Sequence, residues 1–111
     1  MADDDDETTW DSFRKTVNMT AGELEKWLAT EQSQSVGQTR GGDESTGHAS
    51  GRRIVEILRA KRGDLAADDY AHMRKVVGYA KRHLAQRPRG DIAESAWRYS
   101  LMNWGHDPTK S

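Results

Sequence analysis

The stretch from Ala67 to Arg87, ADDYAHMRKVVGYAKRHLAQR, constrains the fold more than any other part of the chain. Tyr70, Met73, Val77, Ala80 and Leu84 recur at alternating steps of three and four, the spacing that aligns one face of an α-helix of about twenty residues. Asp68 and Asp69 fall in its first turn, while Lys81, Arg82, His83 and Arg87 crowd its end, so fixed charges complement the helix macrodipole at both termini. Pro88 then stops the helix. A helix that is apolar on one side and basic on the other must bury the first side against partners, and it offers the second to something anionic.

With 111 residues and a mean hydropathy of −0.96, the chain has room for one domain with a modest core. The absence of cysteine excludes disulfides, thiolate zinc sites and cysteine nucleophiles together. The N-terminus is acidic and no apolar run approaches the ~18 residues that a membrane span needs. Neither a secretory signal nor a membrane partner is expected, and a cytoplasmic location follows by elimination. The net charge of −1 hides a segregation: Met1 to Gly47 holds 11 acidic and 4 basic residues, whereas His48 to Arg89 holds 4 acidic and 11 basic. A near-neutral protein so divided can still present a basic face to a polyanion, or pair its halves with each other.

In chain order, Met1 to Thr9 carries ADDDDE and reads as a disordered acidic arm, because it has almost nothing apolar to bury. Trp10, Phe13 and Val17 mark a short first helix. Thr20 followed by Glu23 fits a capping box ahead of Leu24, Trp27 and Leu28, the stripe of a second helix ending near Thr30. Residues 31–47, with four glycines and no periodicity, read as a flexible polar loop. Ser50 is the expected cap of a helix from about Gly51 to Arg62, whose Ile54, Val55 and Leu58 face inward, with Gly63 as its stop. After Pro88, Asp91 is the expected cap of a last helix with Ile92, Ala96, Trp97 and Leu101 on one face, ending at Gly105. Trp10, Trp27, Trp97 and Trp104 are expected to weld the short flanking helices onto the long one. The fold class is therefore all-α: one domain over residues 10–111, a compact bundle of four to five helices around the long one.

Two constellations point to chemistry. In TGHASGRR, from Thr46 to Arg53, backbone N–H groups at a helix start capped by Ser50, with Arg52 and Arg53 close by, form a candidate anion seat. The Gly-Lys-Ser/Thr ending of a phosphate-binding loop is missing, and a solvated loop with surface arginines is the competing reading. The second constellation is two basic helices joined by a glycine-containing turn, the outline of a helix-turn-helix, with Arg74, Lys75, Gly78, Lys81 and Arg82 outward on the second helix. A plain αα-hairpin with a solvated basic face fits the same pattern. His48, His72, His83 and His106 show no metal-ligand spacing, and a Ser50, His83 and Asp107 triad lacks a nucleophile elbow. No enzyme activity, metal or cofactor is expected.

The strings VNMTAGELEKWLAT, GHASGRRIVEILRAKRGDL, DDYAHMRKVVGYAKRHLAQRP and WRYSLMNWGHDPTK resemble a family of small bacterial and fungal proteins known as a domain of unknown function, some of whose members carry a DNA-binding label. The resemblance covers nearly all of Trp10 to Lys110 and implies one compact unit without implying an activity. It also marks a departure: similar sequences tend to have Thr or Ser where this chain has Ala66, which weakens the cap of the long helix. Two functions remain open. One is a nucleic-acid-binding module, with DNA the expected ligand and RNA the other candidate, that contacts phosphates through Arg74, Lys75, Lys81 and Arg82, its acidic arm occupying the basic face when no polyanion is bound. The other is an interaction domain that docks an acidic protein partner on the same face.

Overall fold

The capping box expected at Thr20 is present in the computed structural model, which describes residues 2–36 and 46–110. The Glu23 N–H donates to Thr20 Oγ1 at 3.1 Å and the Thr20 N–H donates to Glu23 Oε1 at 2.8 Å, which satisfies two helix-terminal donors reciprocally. Helix α2 (Ala21–Leu28) follows. Around it lie α1 (Ala2–Thr16), α3 (Glu31–Ser35), α4 (Thr46–Arg59), α5 (Ala67–Leu84) and α6 (Ala96–Asn103), with a 3₁₀ turn at Arg62–Asp64 between α4 and α5. Among the described residues there is no strand, and the protein is an all-α bundle.

Several boundaries differ from the sequence expectation; α6 starts at Ala96 behind Ser95, which caps it by accepting from the Arg98 N–H, and not behind the expected Asp91. Helix α1 begins at Ala2, so the acidic segment continues the first helix where a disordered arm is expected. Carboxylates at a helix N-terminus interact favourably with the macrodipole, and Thr9 at the end of that segment is buried, accepting a 3.3 Å hydrogen bond from Arg74. Within the expected loop, Glu31–Ser35 forms α3, because Thr30 caps it by accepting from the Ser33 N–H and Ser33 is fully buried. Residues 37–45 of that loop lie outside the described residues. Helix α4 runs from Thr46 to Arg59, four to five residues earlier than expected at its start, which puts Ser50 in the helix interior.

Helix α1 packs along α5, α2 packs along α4, and α6 touches α2, α3, α4 and α5, closing the bundle. Phe13, Leu24, Ile54, Ile57, Met73, Val76 and Leu101 are essentially inaccessible, each stabilising the fold by about 1.5–3 kcal/mol through burial. On α5 the buried residues are Tyr70, Met73, Val76 and Ala80. Val77 is only half-buried, and Leu84, expected inward, is 37% exposed. The buried arc is rotated toward Val76 because α1 and α6 cover α5 from two sides, and α5 ends at Leu84, three residues before the expected Arg87.

Asn103, 1% exposed, is the polar hub of the interior: its Oδ1 accepts from Trp27 Nε1 at 2.7 Å and from Ser33 Oγ, and its Nδ2 donates to the Ser33 carbonyl at 3.1 Å. Trp27 therefore fastens α2 to α6, not to the long helix. At the end of α6, Gly105 has φ +83°, and the His106 and Gly105 N–H groups donate to the Leu101 and Met102 carbonyls at 3.0 and 2.9 Å, the reciprocal pattern of a left-handed helix stop. The turn beyond it is stitched to the end of α1. His106 Nδ1 meets the Thr16 carbonyl at 2.7 Å, and the Asn18 amide pairs with the Asp107 backbone at 2.9 and 2.8 Å.

The weak cap at Ala66 is visible as half a capping box: Asp69 Oδ2 accepts from the Ala66 N–H at 2.9 Å, but alanine offers no acceptor in return. Ala66→Thr or Ala66→Ser supplies that oxygen and is expected to stabilise the protein by about 1 kcal/mol, read as a higher melting temperature by circular dichroism.

Candidate nucleic-acid interface

Between Tyr70 and Gly90 the sequence has six Lys or Arg residues and no Asp or Glu. Burying Tyr70, Met73, Val76 and Ala80 turns Arg74, Lys75, Lys81 and Arg82 outward, and all four are exposed. Arg74 and Lys81, and likewise Lys75 and Arg82, are seven residues apart, so they form two rows about 10 Å long. Ala71 and Gly78 lie between the rows. A Cβ placed on Gly78 meets only the tip of Arg82, at 3.2 Å, so no helix crosses there. Among the described residues Lys75, Lys81 and Arg82 have no acidic partner, and Arg74 donates to Thr9 Oγ1. Of the acids of α1, Asp6 and Glu7 border a recess with Arg62, Gly63 and Tyr70, and Tyr70 lies about 16 Å along α5 from Lys81.

The other three expected site residues do not join this face. Ser50 is 4% exposed, inside α4, and its Oγ shares a 2.9 Å hydrogen bond with His72 Nε2. It cannot cap a helix or seat an anion, because α4 starts a full turn earlier at Thr46. Arg53 points to the start of α5, where it forms a 3.3 Å ion pair with Asp69. Arg52, one residue earlier, lies on the other flank of α4, in a cleft of about 720 Å³ between α2 and α4 floored by Leu28 and Val55. Across this cleft Arg59 donates to both oxygens of Glu25, at 2.8 and 3.4 Å. Ser50, His83 and Asp107 do not converge: His83 bonds the Trp97 carbonyl and Asp107 bonds Arg98. Helices α4 and α5 each pair mainly with a different helix, α2 and α1, and the turn between them spans Ala60–Ala66.

The feature hardest to foresee is a ladder of rings between α5 and α6. His72 stacks on Trp104 with centroids 6.2 Å apart, Trp104 on Tyr79 at 4.3 Å, Tyr79 on His83 at 5.2 Å, and His83 on Trp97 at 5.8 Å, all within 16° of parallel. The Arg87 guanidinium lies 5.6 Å from the Trp97 ring centre and ends the series. Trp97 Nε1 donates to the His83 carbonyl at 2.7 Å, which fixes the ring. Burial, then the nearby Arg53 charge, holds His72 below the usual histidine value, and burial raises the Tyr79 phenol. His72 and Tyr79 therefore stack as neutral rings at neutral pH. The signal in the sequence is faint: His72, Tyr79 and His83 at steps of seven and four on one helix, Trp97 and Trp104 at a step of seven on the next.

Behind this ladder, Asp107 anchors α6. Both its carboxylate oxygens accept from Arg98, at 3.1 Å each, and Oδ1 also accepts from the Thr109 N–H and hydroxyl. Burial alone would raise its pKa, but the Arg98 guanidinium and Thr109 outweigh it and bring the carboxyl from 3.8 down to about 2. A carboxyl depressed on folding contributes stability that is complete above its unfolded value, near pH 4, and is lost as the pH falls through about 2. Asp107→Asn is therefore expected to remove about 2 kcal/mol at pH 7 and nearly nothing at pH 2, measured by denaturant unfolding at the two pH values.

Among the described residues no three His, Asp or Glu side chains are grouped to hold a metal ion. No described helix is long and apolar enough to cross a membrane. The chain belongs to the family described as Protein of unknown function (DUF3140), whose pattern matches residues 12–102. No curated protein and no solved structure matches it.

Proposed function

We propose that this protein is a cytoplasmic nucleic-acid-binding module, without catalytic activity, that holds phosphates on the outward face of α5. The observation that carries the reading is the pair of cation rows, Arg74 with Lys81 and Lys75 with Arg82, on an exposed helix face within a stretch lacking acids. Lysine and arginine so placed neutralise phosphates and release counterions, which gives affinity with little base discrimination. Gly78 between the rows lets a backbone approach the helix closely. The test is anisotropy of a labelled oligonucleotide at low salt: micromolar binding that weakens steeply with added salt supports the reading. An absence of binding to DNA and RNA at low salt refutes it and leaves an acidic protein as the partner of this face.

A further inference from the structure

The stack His72, Trp104, Tyr79, His83, Trp97 ends on one side in a tryptophan whose remaining neighbour is a guanidinium. Trp97 is partly exposed and the Arg87 guanidinium that lies against it is exposed, so this end of the stack is within reach of water. The ring is held by the bond from its Nε1 to the His83 carbonyl and by its stack on the His83 ring. This is a rigid, flat, half-open platform.

Its position relative to the cations is also specific. Lys75 and Arg82 follow His72 and Tyr79 by three residues, so each stands beside a rung of the ladder on the helix surface. One row of cations thus leads along α5 toward Arg87, which lies against the platform just beyond the helix end. Asp91 and Glu94, the next acids, line a recess of their own with Ala93 and Ser95.

We propose, resting on the nucleic-acid reading, that the Trp97 platform takes an unpaired base, so that the ligand class is single-stranded nucleic acid. A base stacked on Trp97 takes the place of Arg87, and the released guanidinium pairs with the adjacent phosphate, while Lys75 and Arg82 hold phosphates further along the strand. Stacking on an aromatic ring is tolerant of base identity because every base has a π-face. An exposed cation–π contact is weak enough to yield to it. In a duplex both faces of every internal base are already stacked, so the platform has nothing to receive.

The test compares three labelled strands of equal phosphate count on the intact protein at low salt: oligo-dT, the same length of abasic deoxyribose phosphate, and duplex DNA. Oligo-dT is expected to bind about tenfold more tightly than the abasic strand and the duplex. Trp97→Leu is expected to abolish that preference and leave duplex affinity within about twofold, and Trp97→Phe to retain most of it. Equal binding of dT and the abasic strand overturns the proposal while leaving phosphate binding standing, and needs no variant to fold. A preference that survives in folded Trp97→Leu overturns it too. If no strand binds, the nucleic-acid reading itself fails.

Discussion

Gly51→Ala is expected to lower the stability of the protein by about 3 kcal/mol, a fall of about 15 °C in melting temperature by circular dichroism. A Cβ at position 51 lies 2.5 Å from the Asn103 carbonyl oxygen and 2.7 and 3.1 Å from the two Leu28 methyls. The leucine can change rotamer, but the carbonyl belongs to the last turn of α6, next to the buried Asn103 hub. Relief therefore requires α4 to back away from α2 and α6, loosening Leu28, Ile54 and Met102 together. Gly78→Ala is the internal control. Its Cβ meets only the flexible end of Arg82, so it should stabilise α5 by about 1 kcal/mol through helix propensity. Destabilisation by both substitutions to the same extent would mean that the α4–α6 contact is looser than described.

The combined replacement of Arg74, Lys75, Lys81 and Arg82 by alanine is expected to have the largest effect on ligand binding. If each holds one phosphate, the logarithm of the association constant should fall with the logarithm of salt with a slope of about −3.6, so affinity drops about a hundredfold between roughly 50 and 200 mM salt. The fourfold variant should bind at the level the intact protein reaches in high salt, and its slope should approach zero. Its fold should be unaffected, since these side chains are exposed and, among the described residues, only the Arg74 side chain makes a hydrogen bond, to Thr9. An unchanged slope in the variant would place the phosphates elsewhere, with the arginines of α4 as the alternative seat.

The helical class, the capping box at Thr20 and the stop at Gly105 were legible because each depends on neighbours within a few residues. So were the exposed positions of Arg74, Lys75, Lys81 and Arg82, because four charges on one helix cannot all turn inward. Ser50 was not, because Ser and Gly at a helix start look the same whether the helix begins at 46 or 51. Only the contacts of Gly51 with Asn103 and of Ser50 with His72 decide it. The rotation that exchanges Val77 for Val76 has the same origin: adjacent valines fit the stripe equally well, and the choice is made by where α1 and α6 lie. The ring ladder escaped because its rungs are shared between α5 and the α6 segment, and neither carries enough of them to stand out.

The bonds that tie His106 and Asp107 to Thr16 and Asn18 join residues 89 and 90 positions apart. Closing a chain segment of that length costs about 4 kcal/mol of entropy before any contact returns it, so this lock should be among the last parts of the native structure to form. A chain still emerging from the ribosome can assemble α1 with α5 and α2 with α4, but it has no α6 to cover Tyr79, His83 and the end of α2. The growing polypeptide therefore passes through a stage in which its flattest and most adhesive surface faces the solvent, and only α6 and the turn after it withdraw that surface.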